Sequence, residues 1–583
     1  MSNFYNYFCI NMISNNKMVL FMNKVLLLQI MVLSLLLLAS PTSAKDVYHV
    51  NINNGNDEND GLKWSTAFKN IQPAINIAKT GDTIKVSRGT YHPTEKIADT
   101  HGGGEDPSLP TDNYDRSFLL KKDLCLYGGF PANATDATTM NNRDWKVNQT
   151  ILSGDFNNND GANFENTSEN ALHVVVMINA SSSMLIDGFY ITGGNAEREH
   201  AHAVYVNDVL VENSKGGGIY AMTSFSSYIN SSPVLSNLVI KNNKAEAEGG
   251  GIYNYSNGGN ASPTLTNVTI INNIAGEEGG GFLNNGLKSS NPKLSNVIIS
   301  GNKAMEGGGF SCIAEEECSP ILENVLISGN KANLSGGIFI FAMGANASPV
   351  ITNTTICGNY AFDENDEDDY GVGGMYILAG GSASPVIKNT VIWGNKSAIE
   401  EADNLYLTSK WGGTNPVYSN SLIGGLDPGG TNLKGDTDPK FVNHIKAESA
   451  PTVSVKGDYR LTLISPLINR GNNDDISLLY DLDSHDRIFG NSVDIGAFEL
   501  QQHPDLTNNE TMTGERSIWS YQGNLFVKVR NNQVTVNIFS INGMMIRQIN
   551  NPGEGTHTIT LPEGFYIVTL STGEKAKIYI RKK

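Results

Sequence analysis

The stretch Gly249-Gly250-Gly251-Ile252-Tyr253, followed at 262–273 by Ser-Pro-Thr-Leu-Thr-Asn-Val-Thr-Ile-Ile-Asn-Asn, determines the architecture because its pattern is written six times between residues 216 and 395. The first asparagine of each copy is Asn237, Asn267, Asn296, Asn324, Asn353 or Asn389. A second asparagine stands six residues later in every copy, at Asn243, Asn273, Asn302, Asn330, Asn359 and Asn395. Successive first asparagines are 30, 29, 28, 29 and 36 residues apart, so we predict a repeat protein.

The residue types within a copy indicate what kind of repeat this is. Apolar residues alternate with small or polar ones, as from Leu265 to Ile270, which predicts strands with one buried face. No copy contains a helical pattern, and glycine and proline punctuate each one. The remaining architecture is an all-β solenoid, a parallel β-helix whose coils stack about 4.8 Å apart.

The glycines and asparagines of the repeat are interpreted as structural. Glycine opens each copy, as a triplet in the first four (216–218, 249–251, 279–281, 307–309) and as a pair in the last two (336–337, 373–374). Glycine suits tight corners with positive φ and close backbone approach. We expect both asparagine sets to face inward at turns, where their amides bond to the neighbouring coil.

The composition and the net charge of the chain exclude some classes of function. The chain of 583 residues carries a net charge of −18, and without its first 44 residues it has 39 basic and 59 acidic residues, a net of −20. Such a surface repels nucleic acid and anionic membranes. Residues 1–44 contain Lys24, an apolar run at 25–38 and small residues up to Ala44, which predicts a secretory signal peptide whose true start is Met22.

The segment after the signal peptide predicts a cap for the solenoid. Asn70 to Ala78 is interpreted as a short helix with Asn70 as its N-cap and with Ile71, Ile75 and Ala78 on one face. A solenoid end exposes apolar core and unpaired strand edges, which a helix can cover.

Motifs on both sides of the repeats resemble those of a known family. Those before the repeats are Asn54–Gly61, Trp64-x-x-Ala67-Phe68, Ile71-Gln72, Gly81–Val86, Gly89–Tyr91, Tyr127–Phe130, Arg143–Trp145 and Thr150–Asp155. Those after the repeats are Asp438–Phe441, Gly457–Leu461, Ser465–Asn469 and Val493–Glu499. The set resembles the "choice-of-anchor" β-helix surface proteins of Bacteroidetes-like bacteria, and the repeats are similar to the Gly-Gly-Gly-Ile-Tyr repeats of chlamydial polymorphic outer-membrane proteins. This resemblance implies a secreted right-handed parallel β-helix over residues 45–500.

Residues 523–583 predict a small antiparallel β-sandwich, which follows a polar linker at 501–522. The predicted strands are Leu525–Val529, Val534–Phe539, Met544–Ile549, His557–Leu561, Phe565–Leu570 and Lys575–Ile580. The pattern at 536–543, the stretch 561–568 and the Lys-rich end resemble the type A sorting domain of the type IX secretion system. That resemblance implies the type IX machinery as partner and a secreted or outer-surface location. The sequence departs from that family at its usual Tyr-Pro-Asn-Pro opening, where Ile518-Trp519-Ser520 stands instead, so the subtype stays open.

Two segments that depart from the repeat pattern contain candidate metal ligands. Glu197-Arg198-Glu199-His200-Ala201-His202 places two histidines on one side of a strand without a third fixed ligand. The acidic run Asp363–Asp369 offers hard oxygen ligands for Ca²⁺ but lacks the glycine and spacing of an EF-hand loop. We interpret both as solvated turns, and Ca²⁺ stays the one candidate cofactor.

The cysteines are too few for a disulfide framework. Of the four that follow the signal peptide, Cys312 and Cys318 flank an acidic loop and either form one disulfide or remain buried thiols.

The sequence assigns no catalytic, cofactor-binding or metal-binding residue. The acids that recur before the glycines (Glu246, Glu248, Glu277, Glu278, Glu306) are interpreted as a solvated stripe. We therefore favour a non-catalytic exported protein, adhesive or glycan-binding, that contacts glycans or cell-surface ligands. The alternative is a polysaccharide lyase or glycosidase with a Ca²⁺-supported acidic cleft.

Overall fold

The structure is a computed structural model that describes residues 45–97, 113–197, 204–225, 229–362, 371–397, 403–453, 456–501, 518–521, 524–529, 533–541, 543–573 and 575–580. The chain divides into two compact units, the first ending at Gln501 and the second beginning at Gln502. The signal-peptide prediction, the acidic run at 363–369, most of the linker and the histidines at 200 and 202 lie outside the described residues.

The first unit is a right-handed parallel β-helix built from three rows of strands, which we name rows A, B and C. Row A consists of Val47–Val50, Thr83–Ser87, Cys125–Phe130, Leu185–Asp187, Val234–Ser236, Thr264–Thr266, Lys293–Ser300, Ile321–Ser328, Val350–Thr352, Val386–Lys388 and Val417–Ser419. Row B consists of Gly89–Tyr91, Thr150–Ser153, Phe189–Thr192, Val239–Lys241, Thr269–Ile271, the second halves of the two eight-residue strands of row A, Thr355–Cys357, Val391–Trp393 and Leu422–Ile423. Row C consists of Phe118–Leu120, Val175–Ile178, Ile219–Met222, Ile252–Ser256, Phe282–Gly286, Phe310–Ala314, Ile338–Ala342, Met375–Ala379 and Leu405–Ser409.

Smaller elements complete the corners of the first unit. Short parallel pairings join Asn195–Ala196, Lys244–Ala245 and Ile274–Ala275, then Lys331–Ala332 with Tyr360–Ala361, and Ser289–Ser290 with Glu317–Cys318. Two antiparallel hairpins are Val204–Val206 with Val209–Val211 and Phe441–Asn443 with Asp458–Leu461. The 3₁₀ turns are Trp64–Thr66, Asn113–Asp115, Met140–Asn142, Ala162–Phe164, Ala447–Ser449 and Asn473–Asp475.

The predicted fold class is confirmed, and the solenoid is longer than its six clear copies. Leu265, Val268 and Ile270 are buried in one continuous core between the rows. The predicted period of two holds within each strand, and the bend at Asn267 shifts it by one residue. Rows A and B begin before residue 100 and end after residue 415, so coils without the glycine triplet extend the stack at both ends.

The two asparagines of the repeat have different positions. The second set is buried, and each amide bonds to a neighbouring coil, as where Asn273 donates from its backbone N (2.9 Å) and its Nδ2 (3.0 Å) to Asn302 Oδ1. The last of the set, Asn395, donates to Asn404 Oδ1 in its own coil and to the carbonyl oxygen of Ile356 in the preceding coil. The first set lies at the bend between rows A and B with φ between 47° and 56°. There Asn267 is exposed, and its Nδ2 donates to Asn237 Oδ1 at 3.1 Å. The inward orientation predicted for the first set is therefore wrong, because the left-handed bend turns that side chain to the outside of the coil.

The first and third glycines of the triplet have different structural roles. The first glycine, such as Gly279, has a left-handed φ of +64°, which favours glycine. At the third, a Cβ on Gly281 would lie 2.5 Å from the carbonyl oxygen of Gly309 and 2.9 Å from Nδ2 of Asn302. The glycines therefore let successive coils, and the buried asparagine ladder, approach closely.

The α-helix Ile71–Ile77 covers the amino-terminal end of the core as predicted, with Ile71, Ile75 and Ala78 buried. The predicted capping bond from Asn70 is absent. The Asn70 side chain instead donates to Asp57 Oδ2 at 2.6 Å, because that carboxylate also accepts the backbone N–H of Asn70 at 2.8 Å. In the described residues no helix is long and apolar enough to span a membrane.

The segment 438–501 folds back over the outer side of rows A and B in the later coils. Tyr459 packs there with Leu326, and the stretch Val493–Glu499 is part of the same cover. The segment also covers outward asparagines of the first set in these coils, since Asn324 Nδ2 donates to the carbonyl oxygen of Tyr480 at 2.6 Å. The outward side chains of row C in the later coils, such as Ile313, Phe339 and Tyr376, are also buried, whereas Tyr406 in the last described coil of row C is 43% exposed.

The second unit contains seven antiparallel strands in its described part. One sheet holds Ile518–Tyr521, Asn524–Val529 and Gly555–Thr560, and the other holds Met545–Asn550, Thr535–Ser540, Gly564–Leu570 and Lys575–Ile580. Their buried residues, including Val527, Ile538 and Val568, form a separate core, as in a β-sandwich.

Candidate functional site

Row C positions the candidate site because its strands alternate between the core and the outside. In the repeated Ile-Tyr pair, Ile219 and Ile252 point into the solenoid core, whereas Tyr220 and Tyr253 belong to a cluster on the opposite face. The rings of Tyr220 and Tyr253 are 5.1 Å apart because parallel pairing aligns them in successive coils. The first two copies thus place an aromatic pair on the outer face of row C, and the next two copies continue this position with Leu283 and Ser311.

A hairpin that does not belong to the repeat lies over this face. Its strands, Val204–Val206 and Val209–Val211, are joined by two residues with positive φ, as a two-residue hairpin turn requires. Val206, Val209 and Val211 are buried against Tyr220 and Met222. The hydroxyl of Tyr220 also donates to the carbonyl oxygen of Leu210 at 2.8 Å, which fixes the hairpin on row C.

A groove of about 490 Å³ lies between this hairpin and the outer face of row C. We call it the row-C groove. Its lining combines aromatic, apolar and polar side chains: Tyr205, Asp208, Val209, Leu210, Glu212, Lys215, Met222, Thr223, Phe225, Glu248, Tyr253, Tyr255, Asn257 and Asn285. Phe225 is 64% exposed and Tyr205 is 41% exposed, so two aromatic rings are open to solvent.

One lysine and two glutamates form the charged centre of the groove. The Lys215 Nζ lies 3.3 Å from Glu212 Oε1 and 3.1 Å from Glu248 Oε1, and 5.5 Å from the centre of the Tyr253 ring. Burial lowers the pKa of Lys215, but the attraction of the two carboxylates outweighs burial and the net shift is upward. Burial raises the pKa of Glu248 in spite of Lys215. The upward shifts of the two pKa values are consistent with each other. Two acids share one cation, so the cluster as a whole stays net acidic.

The recurring glutamates divide into an exposed group and a half-buried group rather than forming one solvated stripe. Glu246 and Glu277 are exposed, as expected. Glu248, Glu278 and Glu306 occupy the position before the glycines and are half-buried, so the solvated interpretation is wrong for these three. Burial first, and then the neighbouring acids, raises the pKa of Glu278 to about 8.

The groove has the chemistry of a binding site for a polar molecule with flat apolar faces. Tyr and Phe rings provide flat packing surfaces, while the amides of Asn257 and Asn285 can donate and accept hydrogen bonds. A concave site with apolar walls and a few converging polar groups is typical of ligand pockets. Its charged lining residues, Asp208, Glu212 and Glu248 against Lys215, carry a net negative charge.

The residues singled out from the sequence contribute little to this groove. Of the two metal-ligand segments, only Glu197 is described, and it pairs with Lys244. Of the recurring glutamates, only Glu248 lines the groove. Sequence reasoning missed Lys215 and Tyr255; the one available signal was that Lys215 directly precedes the first glycine triplet and Tyr255 continues the outward alternation of Tyr253.

Comparisons with known proteins give a limited result. No family model and no curated protein matches the chain. Among solved structures, the chain is similar to pectate lyase Pel9A, with a TM-score of 0.34 and 16% identity, covering 79% of this chain and 98% of that one. It is also similar to a rhamnogalacturonan lyase, with a TM-score of 0.24 and 12% identity, covering 68% and 90%. At these TM-scores and identities neither similarity bears on what the chain does.

Proposed function

We propose that this chain is an exported β-helix protein that binds glycan chains in the row-C groove without cleaving them. The row-C groove is the observation that carries the proposal. Exposed rings of Tyr205 and Phe225 can pack against the C–H faces of sugars, and Asn257 and Asn285 can bond to hydroxyl groups.

The charge of the groove favours neutral or basic glycans over polyuronates. Among the described lining residues, Glu212 and Glu248 share one cation, Lys215, so this cluster keeps a net negative charge. An anionic sugar chain would add negative charge to this acidic site, and that is electrostatically unfavourable. We therefore expect binding to neutral glycans and weak or no binding to polygalacturonate.

The test measures binding of the purified protein to an array of polysaccharides, with single substitutions in the groove. Tyr255→Ala and Phe225→Ala are expected to weaken binding about three- to tenfold each, because one aromatic contact is worth about 0.5–1.5 kcal/mol. Tyr406→Ala removes a 43% exposed ring of row C outside the groove and serves as the matched control. Unchanged binding in both groove variants, or equal loss in the control, refutes the proposed site.

Export is the second part of the proposal. Residues 1–44 have the pattern of a signal peptide, and residues 523–583 resemble a type IX sorting domain. We propose that the type IX machinery recognises the carboxy-terminal unit and delivers the protein to the outer surface or the medium. Deleting residues 523–583 in a bacterium that has this system should retain the protein inside the cell envelope. Surface delivery of the shortened protein would contradict the proposal.

A glycosidase is the second candidate function because of one observation. Glu278 has a pKa raised to about 8 beside Glu248 and Glu306, and a carboxyl group that stays protonated at neutral pH is what a general acid requires. The binding function is favoured because Glu278 does not line the row-C groove. Release of reducing sugar ends that disappears in Glu278→Gln would favour the enzyme.

A further inference from the structure

A second acidic cluster, which involves no residue of the row-C groove, lies just after the row-B strand Thr150–Ser153. One carboxylate oxygen from each of Asp155, Asp160 and Glu169 lies within 4.8 Å of the other two. None of the three forms an ion pair with lysine, arginine or histidine in the part of the chain that the structure describes. Three acids this close repel one another unless a cation or protons compensate their charge.

The loop holds one of these carboxylates in place through its backbone. Asp155 Oδ1 accepts the N–H of Asn159 at 3.2 Å, and Asp155 Oδ2 accepts the N–H of Asp160 at 3.1 Å. The chain therefore curls around Asp155 and brings Asp160 back beside it. Gly193 of the next coil borders the cluster, since a Cβ there would lie 3.4 Å from Asp160 Oδ2.

A buried amide next to the cluster has an unsatisfied oxygen. Asn170 is 1% exposed, and its Nδ2 lies 3.1 and 3.0 Å from the two carboxylate oxygens of Asp160, so its side chain is directed into the cluster. Its Oδ1 is buried and has no hydrogen-bond partner. Unpaired buried acceptors are costly and rare. Rotating this amide by half a turn about its Cβ–Cγ bond would exchange Nδ2 and Oδ1. Oδ1 would then lie beside the carboxylates, where it can act as a metal ligand.

We propose that Asp155, Asp160, Glu169 and the amide oxygen of Asn170 bind one Ca²⁺. Carboxylate and amide oxygens are the hard ligands that Ca²⁺ takes, and the exposed edge at Asp160 leaves room for water to complete its six to eight ligands. The flexible geometry of Ca²⁺ suits ligands from one loop, whereas Mg²⁺ demands near-ideal octahedral geometry. The ion neutralises the cluster and ties the two ends of the loop 155–170 to each other.

The other acidic group, Asp481, Asp483 and His485, does not have these properties. Asp483 is paired with Arg460 at 2.6 Å. Asp481 accepts backbone N–H groups from Asp483, His485 and Glu499 at 2.8–3.0 Å. The charges of this group are already compensated, so its residues serve as a comparison for the proposed Ca²⁺ cluster in the test.

The test is calorimetric titration of the chelator-treated protein with CaCl₂, alongside its thermal unfolding with and without Ca²⁺. We expect one site per chain, a higher unfolding temperature with Ca²⁺, and weaker binding of MgCl₂. Asp160→Asn and Glu169→Gln should each lower Ca²⁺ affinity about tenfold or more, because each removes a charged ligand without changing its shape.

Asp483→Asn and Glu246→Gln remove the same charge elsewhere and should leave Ca²⁺ affinity unchanged. Both cluster variants are expected to keep the unfolding temperature of the Ca²⁺-free protein or to raise it, since they relieve repulsion, so folding can be verified in the same experiment. Absence of Ca²⁺ binding by the unsubstituted protein overturns the proposal. Equal affinity in Asp160→Asn and Glu169→Gln, or loss of the site in Asp483→Asn, also overturns it.

Discussion

Removing one rung of the buried asparagine ladder should destabilise the whole solenoid. Asn302 Nδ2 donates to the carbonyl oxygen of Ile270 and to Asn330 Oδ1, both at 3.0 Å. Asn302 Oδ1 accepts from the backbone N of Asn273 at 2.9 Å and from its Nδ2 at 3.0 Å. Asn302→Ala deletes these four buried hydrogen bonds and leaves the Asn273 backbone N–H without its acceptor. At about 1 kcal/mol for each bond, the expected loss in the free energy of unfolding is about 4 kcal/mol.

The exposed ladder offers the matched control for this loss. Asn296 has φ 56°, donates to Asn267 Oδ1 at 3.2 Å and accepts from Asn324 Nδ2 at 3.1 Å. Asn296→Gly keeps the left-handed φ at little cost and removes two hydrogen bonds at a partly solvated position, so we expect a loss below about 1 kcal/mol. Urea unfolding followed by far-ultraviolet circular dichroism measures both variants. A loss below about 1 kcal/mol in Asn302→Ala, or equal losses in the two variants, would refute the assignment of the buried ladder as a main source of coil stability.

Three further changes test the packing, the charge and the redox state of the solenoid. Gly281→Ala should destabilise it by about 1–3 kcal/mol in urea unfolding, because the added Cβ would lie 2.5 Å from the Gly309 carbonyl oxygen; wild-type stability would contradict the close coil contact. Burial and neighbouring acids raise the pKa of Glu278 from 4.5 to about 8, so the folded state retains a proton that the unfolded state loses, and stability should fall as pH rises through that window. Glu278→Gln should reduce this fall in unfolding temperature, and an unchanged pH profile would contradict it. The buried Cys312 and Cys318 sulfurs lie 2.7 Å apart, so a disulfide can join them when both thiols are accessible during folding. Refolding the urea-unfolded protein with glutathione disulfide should therefore remove two hydrogen atoms in the mass spectrum and add about 2 kcal/mol of stabilisation; a full complement of free thiols after this refolding would contradict it.

The fold was accessible from the sequence because stacking imposes the same demand on every coil. Each coil needs an inward residue such as Ile252, glycines where backbones meet, and an amide such as Asn273 for the ladder. Repetition of these needs makes a pattern that can be recognised without coordinates. The orientation of Asn267 was predicted wrongly because both asparagines repeat equally well, while only the bend's φ decides which faces outward.

The candidate sites were much less predictable because they depend on contacts that do not repeat. The row-C groove exists because one hairpin, 204–211, docks on Tyr220 through valines that carry no distinctive motif. Lys215 and Glu248 meet only because consecutive coils place them side by side. The proposed Ca²⁺ cluster joins Asp160 to Asn170 within one irregular loop outside the repeats. Such contacts are set by tertiary packing, and residue spacing alone does not reveal them.

Glycan binding without cleavage is tested by incubating the purified protein with neutral polysaccharides and with polygalacturonate, and by measuring bound polysaccharide and newly formed chain ends in the same samples. We predict that a neutral glycan is retained, that retention falls in Tyr255→Ala and Phe225→Ala, and that neither reducing nor unsaturated ends appear. Release of such ends by the unsubstituted protein, abolished by a substitution in the row-C groove or at Glu278, would contradict the proposed function.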